Sequence, residues 1–338
     1  MNQHDIIQAF SKLDAFMKSL CDQEAANEEL VYIREVIQRE KNHNGWFTVQ
    51  SIYKSLESLS EMLSVKDLDE WASHYTFTSS PKRVGVIMAG NIPLVGFHDL
   101  LCVLVSGHHA LIKLSSDDSR LLPLFLERLV QLDPRMKERF TVVPRLNESE
   151  AVIATGSNNS ARYFEKYFGH QPHIIRRNRT SVAIIDGSES PKELELLGED
   201  IFSYFGMGCR NVSQLFIPKD FDIDRFFAAI IGYSDIINHN KYGNNYDYYK
   251  AIYLMNQEKL LENGFLLTKE SNELFSPIAV LYYHRCDSPE EVSDFLAKHE
   301  EDIQAVIGHG YIPFGQAQHP KLTDYADGVD TMDFLQNL

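Results

Sequence analysis

The sequence is poor in cysteine. Cys21, Cys102, Cys209 and Cys286 are its four thiols in 338 residues, and they lie far apart. No C-x-x-C pair or zinc-type ligand spacing occurs, so neither a disulfide scaffold nor a zinc module is indicated. A reducing, cytoplasmic setting is the expectation. Positive charge is also scarce. The chain has 32 Lys and Arg against 48 Asp and Glu, a net charge of −16. This balance argues against non-specific binding to nucleic acid or anionic membranes. Apolar runs break well before the roughly 18 residues of a membrane-spanning helix. The start, Met1–Asp5, has no signal-peptide pattern. There is no Gly-x-Gly-x-x-Gly and no Walker loop, so a bound dinucleotide would use another fingerprint. What is present is an ordinary apolar fraction, 44%. In a chain this long it allows one large core or two domains.

Ile6, Ile7, Phe10, Leu13, Phe16, Met17 and Leu20 recur at helical spacing. Further helices are expected over 27–39 and 48–63. Residues 1–80 thus form a helical region that serves as packing or as a lid. After a turn at 78–81 the pattern changes. Short strand candidates at 83–88, 110–114, 140–143, 151–154 and 181–185 alternate with helices at 94–106, 119–131, 158–167 and 191–205. Strands alternating with crossover helices predict a largely parallel sheet covered on both faces. A second α/β region begins near 206. Its strands are expected at 212–217, 276–283 and 302–307, and its helices at 222–233, 245–258 and 288–298. The run 240–249 reads as a polar, aromatic loop or helix entry. The reading divides the chain into 1–80, 81–205, 206–310 and a C-terminal segment 311–338 that returns to the first domain or forms an interface.

Cys209 lies in Phe-Gly-Met-Gly-Cys-Arg-Asn, between a helix and a strand. Gly206 and Gly208 permit a tight backbone turn. A thiolate held there is a candidate nucleophile; an inert buried thiol is the alternative. Cys102, within Leu-Leu-Cys-Val-Leu-Val, reads as core. Asn91, in the turn Gly90-Asn91-Ile92-Pro93 after a strand, either donates to a developing oxyanion or satisfies its own backbone. Lys113 ends the next strand and either reaches a ribose or phosphate or snorkels. Gly156 and Ser157 open a helix after a strand, as a phosphate site or a simple cap. Arg176, Arg177 and Arg179 form a local basic run, which either binds an anionic substrate or balances carboxylates. His98, His108, His109, His170 and His173 impose no metal site. Asp324, Asp327, Asp330 and Asp333 read as a solvated acidic face. No metal is expected.

These motifs, in this order, resemble those of the aldehyde dehydrogenase superfamily, within it the fatty acyl-CoA reductases of the bioluminescence type. The resemblance covers about residues 83–338. It implies an α/β fold: a Rossmann-like cofactor domain and an α/β catalytic domain, here preceded by the helical region. Met88–Pro93 is similar to the turn carrying the oxyanion asparagine, which implies that role for Asn91. Ser106–Ser115 is similar to the strand ending in the cofactor-binding lysine, implying Lys113 with Ser115 nearby. Ala154–Ser157 is similar to the turn beside the dinucleotide phosphate, implying Gly156 and Ser157. Phe205–Cys209 resembles the segment of the nucleophile, with Met207 where the family often has glutamine. Asn272–Pro277 resembles the segment whose glutamate contacts the nicotinamide ribose, implying Glu273 and, nearby, Phe275. Tyr311–Gly315 through Asp327–Asp330 resembles the C-terminal part of the reductase branch.

One departure carries a direction. Hydrolytic members have a glutamate base in Glu-Leu-Gly-Gly, where this chain reads Arg176-Arg177-Asn178-Arg179-Thr180-Ser181. Water needs a base to attack a thioester; a reductase does not hydrolyse one. Glu195 and Glu199 are assigned to helix surfaces. The resemblance therefore implies reduction of an acyl-CoA to an aldehyde through a thioacyl Cys209, with NADPH as the cofactor and NADH also admitted. Arg176, Arg177 and Arg179 stay as substrate-binding candidates. The alternatives are an NAD(P)-dependent aldehyde dehydrogenase or acyl-phosphate reductase, and a non-catalytic subunit of an acyl-transfer complex. A homo-oligomer and an acyl-transferring or aldehyde-using partner enzyme are compatible with this reading.

Overall fold

The computed structural model describes residues 1–25 and 27–338. Two compact units result, Met1–Asn178 with Pro320–Leu338, and Arg179–His319.

The first unit begins with four helices: α1 (Gln3–Cys21), α2 (Glu28–Glu40), α3 (Val49–Met62) and α4 (Val65–Ala72). Their starts are written in the sequence. Asn2 and Asp5 make a reciprocal capping box, and Thr48 and Ser64 each accept a backbone N–H of the first turn. The apolar stripe of α1 is buried in the same core as the sheet that follows. The helical region is therefore packing. Then come β1 (Arg83–Ile87), α5 (Phe97–Val105), β2 (His109–Lys113), α6 (Leu121–Leu132), β3 (Phe140–Val142), β4 (Ala151–Thr155), α7 (Asn158–Phe168) and β5 (His173–Arg176). The five strands are parallel in the order β3-β2-β1-β4-β5. The chain builds outward from β1 on one side, then crosses to β4 on the other. That reversal creates a switch point at the C-terminal ends of β1 and β4, where α/β sheets bind ligands.

The second unit holds β6 (Thr180–Ile184), α8 (Pro191–Phe202), β7 (Val212–Pro218), α9 (Ile223–Ala229), α10 (Asn240–Met255), β8 (Leu261–Glu262), β9 (Leu267–Glu270), β10 (Val280–Cys286), α11 (Pro289–Lys298) and β11 (Ile303–Ile307). The sheet order is β11-β6-β7-β10-β9-β8, parallel except for β8. The last helix, α12 (Thr331–Gln336), rejoins the first unit and buries Met332 and Leu335 in its core.

Three sequence expectations shift. The units part at 178/179, not 205/206, because β6 pairs with β7 in the second sheet. The strand expected from 276 begins at Val280, because Ala279 sits at φ +65° in a turn closed by the Val280 N–H on the Pro277 carbonyl. The run 240–249 lies wholly within α10, whose Tyr242, Tyr246 and Tyr253 are buried. α4, β5, β8, β9 and α12 have no counterpart in the sequence reading; each is short or weakly patterned.

Candidate active site

At the switch point of the first sheet, register sets the level of the groups. Ile87 of β1 pairs with Lys113 of β2 on one side and Ala154 of β4 on the other. The turns after these strands carry Asn91, Ser115, and Gly156 with Ser157. All five candidates of this unit thus leave the same edge of one sheet. The turn after β1 is braced from beneath. Leu94, at φ +57°, donates its N–H to the buried Asp118 carboxylate at 2.8 Å, and the Pro93 carbonyl accepts Ser55 Oγ at 2.6 Å. Burial raises the Asp118 carboxyl to about 6. Gly90 allows the turn to lie against the next one: a Cβ there would stand 2.5 Å from Ser115 Oγ. Asn91 itself is exposed. Lys113 Nζ donates to the Leu114 carbonyl at 2.8 Å. Ser157 caps α7, accepting the Ser160 N–H at 3.2 Å.

This edge fits the phosphates of a dinucleotide. The first turn of α7 carries no acid, as in α3, α6 and α10, whereas α1, α2, α4, α5, α8, α9, α11 and α12 each carry Asp or Glu there. In a chain of net charge −16, the positive end of this helix dipole stays clear for an anion. Lys113 stands at the same edge two strands away, at the end of β2 with β1 between it and β4.

In the second unit, Cys209 sits at the N-terminal end of β7 and is half-buried. The approach to it is irregular. Tyr204, Phe205 and Gly206 lie in succession at φ +50°, +60° and +78°. Two non-glycine residues in that region cost roughly 1–2 kcal/mol each. The buried Asn211 holds the turn in place. Its Nδ2 donates to the carbonyls of Asp200 (3.0 Å), Ile201 (3.4 Å) and Ser203 (2.9 Å), while its Oδ1 accepts the Gly208 N–H at 2.8 Å. Asp200, fully buried, accepts the N–H groups of Gly315 and Ala317. Phe205 stacks on His239 at 4.3 Å between centroids. Ser181 Oγ donates to the Cys209 carbonyl at 3.0 Å.

The segment of Glu273 and Phe275 crosses back toward this same end of β7. Ser213 Oγ donates to the Leu274 carbonyl at 2.6 Å, and Gln214 Nε2 to the Ser271 carbonyl at 2.9 Å. Glu273 is exposed and Phe275 is 44% exposed. Burial raises the Tyr282 phenol, and the neighbouring Tyr253 hydroxyl and Glu273 carboxylate push it the same way. Glu195 is exposed and pairs with Lys192 at 3.1 Å. Glu199 accepts from Ser203 Oγ and Tyr233 Oη, both at 3.3 Å.

The arginine run separates into three fates. Arg176 is 2% exposed, and its guanidinium is committed to Asp99 at 2.7 Å, Thr331 Oγ1 at 2.8 Å and the Ala326 carbonyl. It ties α5 and the C-terminal segment to β5 and is not a substrate-binding residue. Arg179 donates to the Ile303 carbonyl at 3.1 Å and braces β11. Arg177 alone of the three is exposed. Of the aspartates at 324–333, Asp330 caps α12 and accepts the Tyr75 hydroxyl at 2.8 Å. Asn211, Asp200, Ser181 and Asp118 escaped the sequence reading. Isolated polar residues have no periodicity; the one available signal was the position of Asn211, two residues beyond the thiol in a turn.

Two α/β units, one a Rossmann-like nucleotide-binding sheet and one carrying a cysteine turn, define the aldehyde dehydrogenase superfamily fold. Solved members align accordingly. The Mycobacterium tuberculosis aldehyde dehydrogenase complexed with NAD+ matches at TM-score 0.63 and 13% identity, over 91% of this chain and 73% of that one. Aldehyde dehydrogenase 21 from Physcomitrella patens, solved with the reaction product succinate, matches at TM-score 0.63 and 11% identity, over 91% and 74%. The chain belongs to the acyl-CoA reductase (LuxC) family, whose model matches residues 3–232. A curated relative, the long-chain acyl-protein thioester reductase of Aliivibrio fischeri, is 23% identical over 281 residues. That match takes in 72% of this chain and 57% of the relative's length. Among the described residues no helix is long and apolar enough to cross a membrane.

Proposed function

We propose that the protein is an NAD(P)-linked oxidoreductase acting on an acyl or aldehyde carbon through Cys209, and that it works as a reductase of acyl thioesters. The carrying observation is the Cys209 turn. A half-buried thiol is fixed by a buried asparagine on a backbone that is strained in isolation, which is how positioned nucleophiles are held.

In this reading the Cys209 thiolate attacks the thioester carbonyl. The C–S bond to the donor breaks, the donor leaves as a thiolate that takes up a proton, and the acyl group remains on Cys209. Asn91 and the Cys209 backbone N–H donate to the oxyanion. A bound nicotinamide cofactor, NADPH or NADH, supplies hydride to the acyl carbon. Collapse of the thiohemiacetal then expels the Cys209 thiolate and releases the aldehyde. Lys113, Ser115, Gly156, Ser157, Glu273 and Phe275 are the proposed cofactor-binding residues, and Arg177 the remaining candidate for an anionic substrate group.

The direction rests on the residues beside the thiol. Ser181, which touches the Cys209 carbonyl, ends the stretch 176–181, and that stretch contains no carboxylate. The glutamate base that hydrolytic members carry in this stretch to activate water is therefore not supplied by residues 176–181. The acyl donor is a thioester of coenzyme A or of a protein; the relative's name supports the second as much as the family's supports the first. Aldehyde oxidation is the second reading, and the solved aldehyde dehydrogenases of this fold favour it.

Incubation with acyl-CoA without cofactor should add one acyl mass to Cys209, and NADPH or NADH should then be oxidised with release of aldehyde. Cys209→Ala should remove both signals. Turnover that persists in that variant overturns the thiol mechanism. Turnover with aldehyde and NAD(P)+ but none with thioester selects the oxidative reading, and no turnover of either kind selects a non-catalytic subunit.

A further inference from the structure

The other end of the second sheet carries a chemically distinct group. β10 finishes His284-Arg285-Cys286, and the turn Asp287-Ser288-Pro289 reverses the chain into α11. Alternation along a strand puts residues 284 and 286 on one face, while Arg285 points away to the carbonyls of Lys219 and Phe221 at 2.7 and 3.1 Å. The first turn of α11 brings Glu291 back over that face. Glu291 Oε1 stands 2.7 Å from His284 Nε2, and Oε2 accepts the Asp287 N–H at 2.9 Å. One ligand atom from each of His284, Cys286 and Glu291 falls within 4.8 Å of the others. Cys286 packs against the apolar cluster of Val182, Phe216, Leu274 and Val292, and the Phe216 ring meets His284 edge-on at 6.2 Å.

We propose that His284, Cys286 and Glu291 form a three-ligand site for a zinc-class divalent ion. The donor set selects the metal. An imidazole nitrogen, a thiolate and a carboxylate suit Zn2+, whereas Mg2+ and Ca2+ take oxygen sets. Neutral imidazole, thiolate and carboxylate sum to a charge that cancels a divalent cation. Around zinc, with bonds of about 2.0–2.3 Å, tetrahedral ligand atoms stand about 3.3–3.7 Å apart. The histidine nitrogen and the carboxylate oxygen therefore separate by under about 1 Å on binding. The Asp287 N–H fixes the carboxylate orientation, as orienting partners do at metal sites. The fourth position is left to water.

The second His-carboxylate group of this unit makes a useful contrast. Asp186, Glu189 and His309 also lie close together, but they offer no sulfur. The Glu189 carboxylate there is committed to the Asp186 and Gly187 N–H groups at 2.6 and 3.0 Å. The proposed site is also remote from Cys209. Cys286 pairs with Pro218 at one end of β7, and Cys209 precedes the other. At about 3.3 Å per residue, the strand between them spans roughly 20 Å. The ion would clamp the end of β10 to α11 and take no part in the proposed thioester chemistry.

The test uses the full chain with Cys209→Ser, so that the thiol of the proposed active site does not compete for the metal. Zn2+ titrated against a chromophoric chelator should bind with one-to-one stoichiometry, and Co2+ should give the near-ultraviolet thiolate-to-metal absorption. Adding the near-isosteric Cys286→Ser should abolish that absorption. His284→Ala should weaken Zn2+ binding by more than the about 10–100-fold that losing an orienting partner costs. Absence of stoichiometric zinc binding in the Cys209→Ser protein overturns the site. So does binding that His284→Ala and Cys286→Ser leave unchanged.

Discussion

Asn91 and Cys209 sit on turns of opposite construction. The Asn91 turn is a regular strand-to-helix junction at the switch point of a parallel sheet. Its bracing comes from packing and from two side-chain contacts, Asp118 with the Leu94 N–H and Ser55 with the Pro93 carbonyl. The Cys209 turn follows a helix with three successive left-handed residues, and a single buried side chain, Asn211, ties it to three carbonyls and one N–H. In the first unit topology delivers the functional groups. In the second, a polar network does. Substitutions should therefore separate chemistry from architecture at Asn91 and join them at the Cys209 turn.

The largest effect is expected at Asn91. Because it is exposed, Asn91→Ala should leave the unfolding midpoint nearly unchanged. As an oxyanion donor it should lower kcat by about 10²–10³-fold, some 2.7–4 kcal/mol in the barrier. Steady-state kinetics beside a urea melt distinguishes the two. An effect confined to KM, or an equal loss of stability, would show that the turn and not its amide matters.

Asn211→Ala is the matching experiment in the second unit. It leaves several buried backbone groups without their partner, for about 3 kcal/mol of stability. It should also release the Tyr204–Gly206 backbone, so that acylation of Cys209 by a thioester slows even at temperatures where the protein remains folded. Full acylation rates in a destabilised protein would break the proposed link between this asparagine and the thiol.

The same contrast explains what could be read from the sequence. Alternation of apolar runs with helical stripes reveals β1 to β4, α5, α6 and α7, because a parallel sheet buried on both faces leaves that pattern. Lys113, Gly156 and Ser157 then follow from their places at strand ends. Cys209 was visible as a thiol between glycines, but its support was not. Asp200 acts through backbone groups far along the chain, Gly315 and Ala317, and Asn211 through backbone groups of the preceding helix end and turn; no periodic spacing encodes either set of partners. Arg176 misled for a related reason. A basic run fits an anionic substrate or a carboxylate partner equally well until the fold shows Asp99 and Thr331 closing over its first member, which is the second alternative. The unit boundary was misplaced because β6 reads locally like one more strand of the first sheet, and only its pairing with β7 assigns it to the second.

Ser157 tests the first unit more gently. Its side chain caps α7, so Ser157→Ala should cost about 1 kcal/mol of stability. If the start of α7 also receives a phosphate, KM for the nicotinamide cofactor should rise several-fold while the rate of Cys209 acylation stays constant. Ser157→Asp keeps a cap but adds charge. It should restore the stability and raise the cofactor KM further, an opposition that a purely structural cap would not produce.

The smallest expected effect lies at the end of the second sheet away from Cys209. His309, after β11, donates from Nδ1 to Asp186 Oδ2 (2.9 Å) and from Nε2 to Glu193 Oε1 (3.0 Å), with Phe314 edge-on beside it. Those two carboxylates raise the imidazole to about 9, while the Ser188 and Ser190 hydrogen bonds together with His309 lower Asp186 and Glu193 to about 2. A raised histidine stabilises the fold fully below its unfolded value near 6.5 and loses that contribution as pH climbs through about 9. The lowered carboxylates contribute above their unfolded values near 4 and lose the contribution as pH falls through about 2. The tie is therefore strongest between about pH 4.5 and 6.5. Because the groups are exposed, its contribution is modest and screened by salt. His309→Gln should flatten the decline of the urea midpoint between pH 6.5 and 9 without altering acylation of Cys209 at fixed pH. If acylation does fall in step with that midpoint, the two ends of the second sheet are coupled, and the Cys209 turn depends on more than its asparagine.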